Sequence, residues 1–255
     1  MIIIKSAREI DKIRSACQVV SEVLALMQQF VTPGVSTYKL SSIAEDYIRS
    51  RHARPAFKGY SVHGYANYPG SICTSINSCI VHGIPSKSVI LQEGDIVSID
   101  VGVELDSYYG DAAVTLPVGN VSEENRLLLL VTQEALDRGI QQALKGHFVG
   151  DISAAIGDFI LAQGFFPANQ LSGHGVGRVL HEPPNIPNLG RKGTGHQLKA
   201  GMTLAIEPMV NVGTSEVISS DWEFYSANGL NSAHFEHTIL ITEGSPEILT
   251  KGFNG

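Results

Sequence analysis

Two aspartates lie on either side of a short polar segment that separates two apolar runs. Asp100 ends the run Ile96–Ile99, and Asp111 precedes a run that begins at Ala112. The segment 104–107 predicts a hairpin turn centred near position 105.5, which would place the two carboxylates directly opposite each other on one face. Like charges at opposed positions destabilise a strand pair, and buried carboxylates need protons or cations. The pair therefore indicates either a cation site or two solvated carboxylates of a hairpin.

Two glutamates and a histidine extend this pattern in the second half of the chain. Glu207 ends an apolar run, Glu236 precedes one, and His174 has a glycine on each side. If the four carboxylates and the imidazole converge, their charge requires metal, and this oxygen-rich set favours Mn, Fe or Co over a structural zinc site. More carboxylates than one ion needs predict a pair of ions, which would polarise a carbonyl and activate water.

Two further histidines lie near these residues in the sequence. His82 ends a predicted strand, and His181 lies seven residues beyond His174. Neither is needed to neutralise carboxylates. They are therefore either structural residues or groups that stabilise a tetrahedral intermediate.

Helical and strand patterns supply the framework for these residues. The patterns predict helices over 7–30, 38–50, 123–145 and 150–163, strands over 71–76, 78–82, 95–103 and 108–118, and short strands and loops from 173 onward. The Gly- and Tyr-rich segment 55–69 predicts a loop. The run Gly94–Asp100 recurs as Gly201–Glu207, so we predict one catalytic domain made of two related halves, about 1–120 and 121–255, that share a sheet.

The composition excludes several classes of protein. Of the 255 residues, 43% are hydrophobic and 17% are charged, and the net charge is −7 without basic runs. This charge argues against nucleic-acid binding, and no apolar run approaches the ~20 residues that span a bilayer. The segment Met1–Lys5 lacks the order of a signal peptide, and three cysteines form neither a disulfide framework nor a zinc ribbon. We therefore expect a reduced, cytoplasmic monomer without membrane or nucleic-acid contacts.

The segments that carry these residues resemble the bacterial-type methionine aminopeptidases of type 1. The five matching segments are Val81–Pro85, Gly94–Asp100 with Asp111, Gly173–Pro184, Ala205–Met209 and Phe235–Thr238. The resemblance covers nearly the whole chain. It implies an α+β pita-bread fold, in which pseudo-two-fold αα-β halves share a curved antiparallel sheet with helices on its outer face. It also implies hydrolysis of the initiator methionine from nascent proteins and peptides when the second residue is small.

The resemblance assigns roles at the site. A dinuclear centre of two divalent ions (Co, Mn, Fe, Zn or Ni) would be held by Asp100, Asp111, His174, Glu207 and Glu236, with Asp111 and Glu236 bridging. A water between the ions would attack the scissile carbonyl. His82 would contact the substrate amide, and His181 would bind the scissile carbonyl or the developing oxyanion. Glu207 would also carry a proton from the water to the leaving amine.

The resemblance further implies a methionine pocket at Tyr68, Cys73 and Trp222, and less directly at Leu180. Sulfur and aromatic surfaces suit a thioether, although core packing is the alternative for these residues. A monovalent-cation site at Asn77, Cys79 and Ser232 is similar to one found in some members.

Two features depart from the family pattern. The loop Gly59–Tyr68 is longer than in many relatives, which leaves the place of Tyr68 in the pocket open. His234 stands where many members carry Gln, and it either lines the metal site or faces solvent.

The implied partners are the N-termini of nascent polypeptides and peptides. The ribosome is a further candidate partner, although no basic tail supports it. The rival functions are a pita-bread peptidase that cleaves before proline, which usually has an extra N-terminal domain, and a non-enzymatic binding protein of the same fold, which would be expected to lose metal ligands. A bare metal-binding or structural domain is a third alternative, against which His82 and His181 argue.

Overall fold

A computed structural model describes residues 2–252 of the chain. The helices within this range are α1 (Ala7–Phe30), α2 (Thr37–Ser50), α3 (Glu123–Gln142) and α4 (Val149–Ala162). The strands are β1 (Arg54–Pro55), β2 (Cys73–Ile76), β3 (Cys79–Val81), β4 (Ile96–Leu105), β5 (Tyr108–Pro117), β6 (Phe166–Pro167), β7 (Ser172–Gly175), β8 (Glu182–Pro187), β9 (Thr203–Ile206), β10 (Met209–Asn211), β11 (Val217–Ser220), β12 (Glu223–Ser226), β13 (Ser232–His234), β14 (Glu236–Leu240) and β15 (Glu247–Ile248).

The strands form one large sheet and two small ones. The large sheet has nine strands in the order β1-β4-β5-β14-β9-β7-β8, with β2 beside β4 and β15 beside β14. The two small sheets have the orders β13-β10-β6 and β11-β12-β3. The large sheet therefore joins strands from both predicted halves, and β5 and β14 meet at its centre.

The helices pack against one face of the large sheet. Alternate residues of β4 and β5 enter the core between sheet and helices: Val97, Ile99, Val101, Ala112 and Val114. Each buried Val or Ile side chain contributes about 1.5–3 kcal/mol, so this interface fixes the helices on the sheet. Because successive side chains of a strand point to opposite faces, Asp100 and Asp111 belong to the face away from the helices.

Serines at three helix starts explain why those helices begin where they do. Ser36 Oγ accepts a hydrogen bond from the Lys39 N–H at the start of α2. Ser122 caps α3 in the same way, and Ser6 of α1 donates to Glu9 from both its backbone N–H and its hydroxyl. Such contacts satisfy backbone donors that lack partners within the helix. The predicted bounds of α1 are confirmed, whereas α3 ends at Gln142, three residues earlier than predicted.

The register of the β4–β5 hairpin differs from the prediction. Asp100 pairs with Ala113, and Asp111 pairs with Gly102, so the two aspartates are diagonal rather than directly opposed. The reason is the turn, which contains only Asp106 and Ser107, both at positive φ (51° and 64°). Two-residue hairpin turns require this left-handed backbone. The turn is centred near position 106.5 and not near 105.5, so Asp100 pairs two positions beyond the predicted partner Asp111. An even shift keeps both carboxylates on the same face.

Within residues 2–252, every helix is too short or too polar to cross a membrane.

Candidate metal centre and active-site cavity

The first row of candidate ligands crosses the centre of the large sheet. Ala113 of β5 pairs with Asp100 on one side and with Glu236 on the other. The small methyl group of Ala113 leaves the space between the two carboxylates open. Ile206, the last residue of β9, pairs with His237 of β14. In this antiparallel register the next residue, Glu207, is opposite Glu236 and continues the row.

The second row lies two residues further along the strands and carries Asp111 and His174. The Thr238 hydroxyl fixes its centre, since it donates to the Asp111 carbonyl (2.7 Å) and accepts from the Asp111 N–H (3.2 Å). Thr238 and His174 pair with the same residue of β9, Ala205. Antiparallel register thus brings all five predicted ligands onto one face of the sheet.

The ligand atoms of these residues are close together. His174 Nε2 lies 3.4 Å from Glu207 Oε1 and 3.8 Å from Asp111 Oδ2. Donor atoms lie within 4.8 Å of one another in three groups: Asp100, Asp111 and Glu236; His174, Glu207 and Glu236; and Asp111, His174 and His181. Asp111, His174 and Glu236 each belong to two groups. The arrangement can therefore hold more than one cation.

The carboxylates are buried without enough protein partners. Asp100, Asp111 and Glu236 each have one buried oxygen that accepts no hydrogen bond. Burial raises the pKa of Asp100 to about 7 and that of Glu207 to about 8. Burial, and then repulsion by neighbouring carboxylates, raises the pKa values of Asp111 and Glu236 well above their ordinary range. Such a cluster requires protons or cations, and divalent ions fit its oxygen-rich donor set.

His174 presents a free lone pair to this cluster. Its Nδ1 lies 2.9 Å from the Gly175 carbonyl oxygen, which can only accept, so Nδ1 carries the proton. Burial lowers the pKa of the imidazole to about 3, which keeps it neutral. The unprotonated Nε2 then faces the carboxylates, as it must in a nitrogen ligand.

A cavity of about 160 Å³ opens beside the cluster. Its far end is lined by the apolar group Phe57, Tyr68, Cys73 and Leu180, with Trp222 packed against it. The predicted pocket residues thus lie together, next to the carboxylates, since Cys73 of β2 pairs with Asp100. Four further apolar residues line the cavity and were not predicted from the sequence: Phe57, Val81, Leu171 and Met209. Their patterns do not differ from those of ordinary core residues.

Tyr68 lies in the pocket, at the end of the loop Gly59–Tyr68. It is 3% exposed, and its hydroxyl donates to the Gly83 carbonyl (2.8 Å). Its ring meets that of Trp222 edge to face, with centroids 5.6 Å apart. The Trp222 Nε1–H donates to the Ala66 carbonyl (2.7 Å), which ties the loop to the pocket.

The two further histidines line the same cavity. His82 follows β3 with a positive φ of 61°, a strained backbone for a non-glycine residue that is common at functional sites. Its Nδ1 is buried without a partner, and burial lowers its pKa to about 4. The His181 ring lies 4.4 Å from that of His174, measured between centroids, and its Nδ1 lies 2.8 Å from the Tyr60 hydroxyl. Tyr60 also lines the cavity, and its place in a Tyr-rich loop gave no signal for this contact.

His234 is buried at the metal site and does not face solvent. Its side chain is 2% exposed, and Nε2 lies 3.5 Å from Glu207 Oε2 and 3.9 Å from Glu236 Oε2. Neither ring nitrogen has a hydrogen-bond partner among the described residues.

The predicted monovalent-cation residues lie close to one another, at the turn between β2 and β3 and at the start of β13. The Asn77 side chain donates to Asp95 (2.8 Å), and the Asn77 backbone carbonyl accepts from the Ser232 N–H (2.8 Å). The Ser232 hydroxyl donates to the Val210 carbonyl, and Cys79 is buried. These side chains use protein partners, so the cation site stays a prediction.

Comparisons with known proteins give consistent results. The profile of metallopeptidase family M24 matches residues 11–243. The chain is 45% identical to the methionine aminopeptidase of Clostridium acetobutylicum over 252 residues, which are 98% of this chain and 99% of that protein. The crystal structure of methionine aminopeptidase from Thermotoga maritima matches with a TM-score of 0.95 and 42% identity, over 99% of this chain and 100% of that one.

A more distant solved structure, prolidase from Pyrococcus furiosus, matches with a TM-score of 0.81 and 25% identity. The match covers 99% of this chain and 66% of the prolidase, which is the longer protein. These likenesses confirm the predicted α+β fold class.

Proposed function

The chain belongs to metallopeptidase family M24, and from this premise we propose that it is a type 1 methionine aminopeptidase of the pita-bread fold. It hydrolyses the initiator methionine from nascent proteins and peptides when the second residue is small. One observation carries the proposal: a buried cluster of carboxylates with one imidazole shares a cavity with an apolar subsite. The identity of 45% to an aminopeptidase over nearly the full length supports the same reaction.

The cluster is assigned to two divalent ions. The proposed ligands are Asp100, Asp111, His174, Glu207 and Glu236. The buried oxygens without protein partners support this assignment. Asp111, His174 and Glu236 each belong to two donor groups, and of these only the two carboxylates have a second oxygen with which they could bridge the ions. When bound, the ions supply a Lewis acid for the scissile carbonyl and lower the pKa of a water. Reconstitution with each metal would identify the divalent ions as Co, Mn, Fe, Zn or Ni. It would also show whether a monovalent cation binds.

The residues of the chain bind and orient the substrate from both ends of the cavity. The apolar end accepts the methionine side chain, where Cys73 and Trp222 suit a thioether. His181 donates a hydrogen bond to the scissile carbonyl oxygen, and His82 contacts the substrate amide through its unpartnered buried nitrogen. Glu207, whose Oε1 lies 3.4 Å from His174 Nε2, would take a proton from the attacking water and deliver it to the leaving amine as the C–N bond breaks.

The substrates, the oligomeric state and the location of the protein complete the proposed function. The substrates are N-termini of nascent polypeptides and free peptides, the protein acts as a monomer, and the ribosome is a candidate partner. A cytoplasmic location is supported by Cys17, Cys73 and Cys79, all of which are buried free thiols. The organisation in one catalytic domain with halves 1–120 and 121–255 is part of the same proposal, and the sheet that joins β5 to β14 supports it.

Reconstitution with metal tests the function. The metal-stripped protein is assayed on Met-Gly, Met-Leu and Ala-Pro peptides while Mn, Co, Fe, Zn or Ni is titrated. We expect metal-dependent release of Met from Met-Gly and much slower release from Met-Leu. Release from Ala-Pro alone would indicate the rival that cleaves before proline, and ion binding without any release would indicate a binding protein.

A matched pair of variants connects the activity to the cluster. Asp111→Asn should bind fewer ions and lose activity, because it removes a charge from two donor groups. Glu134→Gln, on the exposed face of α3 beside Arg138, should behave as the parent protein. Equal activity of both variants would overturn the ligand assignment.

A further inference from the structure

Tyr60 makes a direct contact with the histidine proposed to bind the scissile carbonyl. The Tyr60 hydroxyl lies 2.8 Å from His181 Nδ1, and the two rings meet edge to face with centroids 5.5 Å apart. Both residues line the cavity. His181 also has a ring nitrogen within 4.8 Å of donor atoms of Asp111 and His174, so the imidazole lies beside the metal ligands as well as beside the loop.

The backbone holds the Tyr60 ring in place. The Tyr60 N–H donates to the Phe57 carbonyl (2.8 Å), and the Tyr60 carbonyl accepts from the Tyr68 N–H (2.9 Å). The Gly59 N–H donates to the Tyr68 carbonyl (2.8 Å), which closes the base of the loop. The tip is tied down by Trp222 through the Ala66 carbonyl. The loop Gly59–Tyr68 is thus held by hydrogen bonds at its base and near its tip, and Tyr60 at its base contacts His181.

This contact has a consequence for the proton on His181. A neutral imidazole carries one N–H, and the hydrogen bond at one nitrogen decides which nitrogen bears it. If the Tyr60 hydroxyl donates to Nδ1, the proton must be on Nε2, the nitrogen left to face the cavity. Only that tautomer can donate to a carbonyl oxygen. Burial raises the pKa of Tyr60, so its phenol keeps the proton it needs as a donor.

We propose that Tyr60 is a positioning residue that donates its hydroxyl proton to His181 Nδ1, and so keeps the imidazole in the Nε2–H form that hydrogen-bonds the scissile carbonyl. The inference rests on the proposed function, because it takes His181 as the carbonyl-binding group. Tyr60 itself need not touch the reacting atoms.

Kinetics of three variants on Met-Gly, in the Mn-loaded enzyme, test this role. Tyr60→Phe keeps the ring and loses the donor, so kcat should fall about tenfold with KM nearly unchanged. His181→Ala should lower kcat about 100-fold, as removal of an oxyanion donor does. In the double variant Y60F/H181A, the loss should equal that of H181A alone, because Tyr60 acts through His181.

Tyr65→Phe is the matched control, since Tyr65 lies on the same loop but its ring contacts Trp222 instead of His181. It should leave kcat unchanged. A full tenfold loss from Y60F in the H181A background would overturn the inference, because the tyrosine would then act independently of the histidine.

A spectroscopic measurement separates tautomer control from a general structural effect. In the Zn-loaded enzyme, which is diamagnetic, the ¹⁵N shifts of the His181 ring should indicate a proton on Nε2. Y60F should move those shifts towards a mixture of the two tautomers. A proton on Nδ1 in the parent enzyme would overturn the inference.

The same variants distinguish a wrong role for His181 from a wrong role for Tyr60. If H181A keeps the full kcat, the proposed role of His181 is wrong and the inference falls with it. If H181A is impaired but Y60F matches the parent enzyme in kcat and ring shifts, only the inference is overturned, and the proposed function stands.

Discussion

His234 is the buried imidazole with the least satisfied ring in the candidate site. Its backbone is held on both sides by Thr115, which accepts from the His234 N–H (2.8 Å) and donates to the His234 carbonyl (2.8 Å). From this backbone position the ring places Nε2 3.5 Å from Glu207 Oε2. A buried polar nitrogen without a partner is costly, so the nearby carboxylate is the partner that the geometry offers. Glu207 Oε1 remains directed towards His174.

The first prediction concerns this contact. His234→Leu removes the donor and should weaken binding of the divalent ions about 10- to 100-fold, as loss of a group that orients a ligand does. His234→Gln retains an N–H donor and should bind close to the parent value. Isothermal titration with Mn measures both, with the exposed His196→Leu as control. Equal affinity of the Leu and Gln variants would contradict a donor role for His234.

At the scale of elements, the spacing of the carboxylates depends on Ala113. This residue is 1% exposed and separates Asp100 from Glu236 in one row across β4, β5 and β14. Directly paired residues have Cβ atoms ~5 Å apart, so a larger side chain at the middle position would occupy the space between the two carboxylates.

The second prediction follows from that spacing. Ala113→Val should reduce the number of Mn ions bound per chain and lower activity, with a stability cost of about 1–3 kcal/mol from overpacking. Ala113→Gly leaves the space open and should bind the full number of ions. Metal content after dialysis, measured by elemental analysis, distinguishes the two variants. Full occupancy in A113V would mean that the ions do not lie between these strands.

A buried ion pair connects two distant segments next to the site. Lys5 Nζ, in the segment before α1, lies 2.7 Å from Glu182 Oε2 at the start of β8, and both side chains are about 5% exposed. Glu182 also accepts from the Arg178 N–H (2.8 Å). The pair therefore supports the segment that carries His181.

The third prediction is that Lys5→Ala destabilises the protein by about 3–5 kcal/mol, because it leaves Glu182 buried without its partner charge. Arg14→Ala, which breaks a partly exposed pair with Glu247, should cost under ~1 kcal/mol. Urea denaturation measures both values. Similar costs for the two variants would show that Glu182 gains water or another partner when Lys5 is removed.

At the scale of the whole molecule, the sequence predicts the elements better than their mutual register. The apolar stripe of α1 and the strong alternation of β4 and β5 define these elements locally. The register of the hairpin instead depends on the left-handed backbone at Asp106 and Ser107, which neither residue type requires. Contacts such as Tyr60 with His181 join positions 121 residues apart, and no local pattern encodes them.

The fourth prediction concerns the pH dependence of the metal-free protein. Folding raises the pKa of Asp100 from its ordinary 3.8 to about 7 and that of Glu207 from 4.5 to about 8. As pH rises, these groups lose their protons near pH 4 in the unfolded chain but only near pH 7 to 8 in the folded protein. The stability that they contribute below about pH 4 is therefore lost as pH rises towards 8. The Tm of the protein in EDTA should therefore fall from pH 5 to pH 8.

Bound divalent ions should reverse this trend, because they replace the protons that the buried carboxylates otherwise hold. With saturating Mn the Tm should rise or stay level over the same pH range, and the gap between the two curves should widen with pH. Asp100→Asn provides the control, since it removes one raised pKa and should flatten the curve measured in EDTA. Parallel curves with and without Mn would mean that the ions bind elsewhere, because only ions that take the place of these protons connect metal binding to the titration of the cluster.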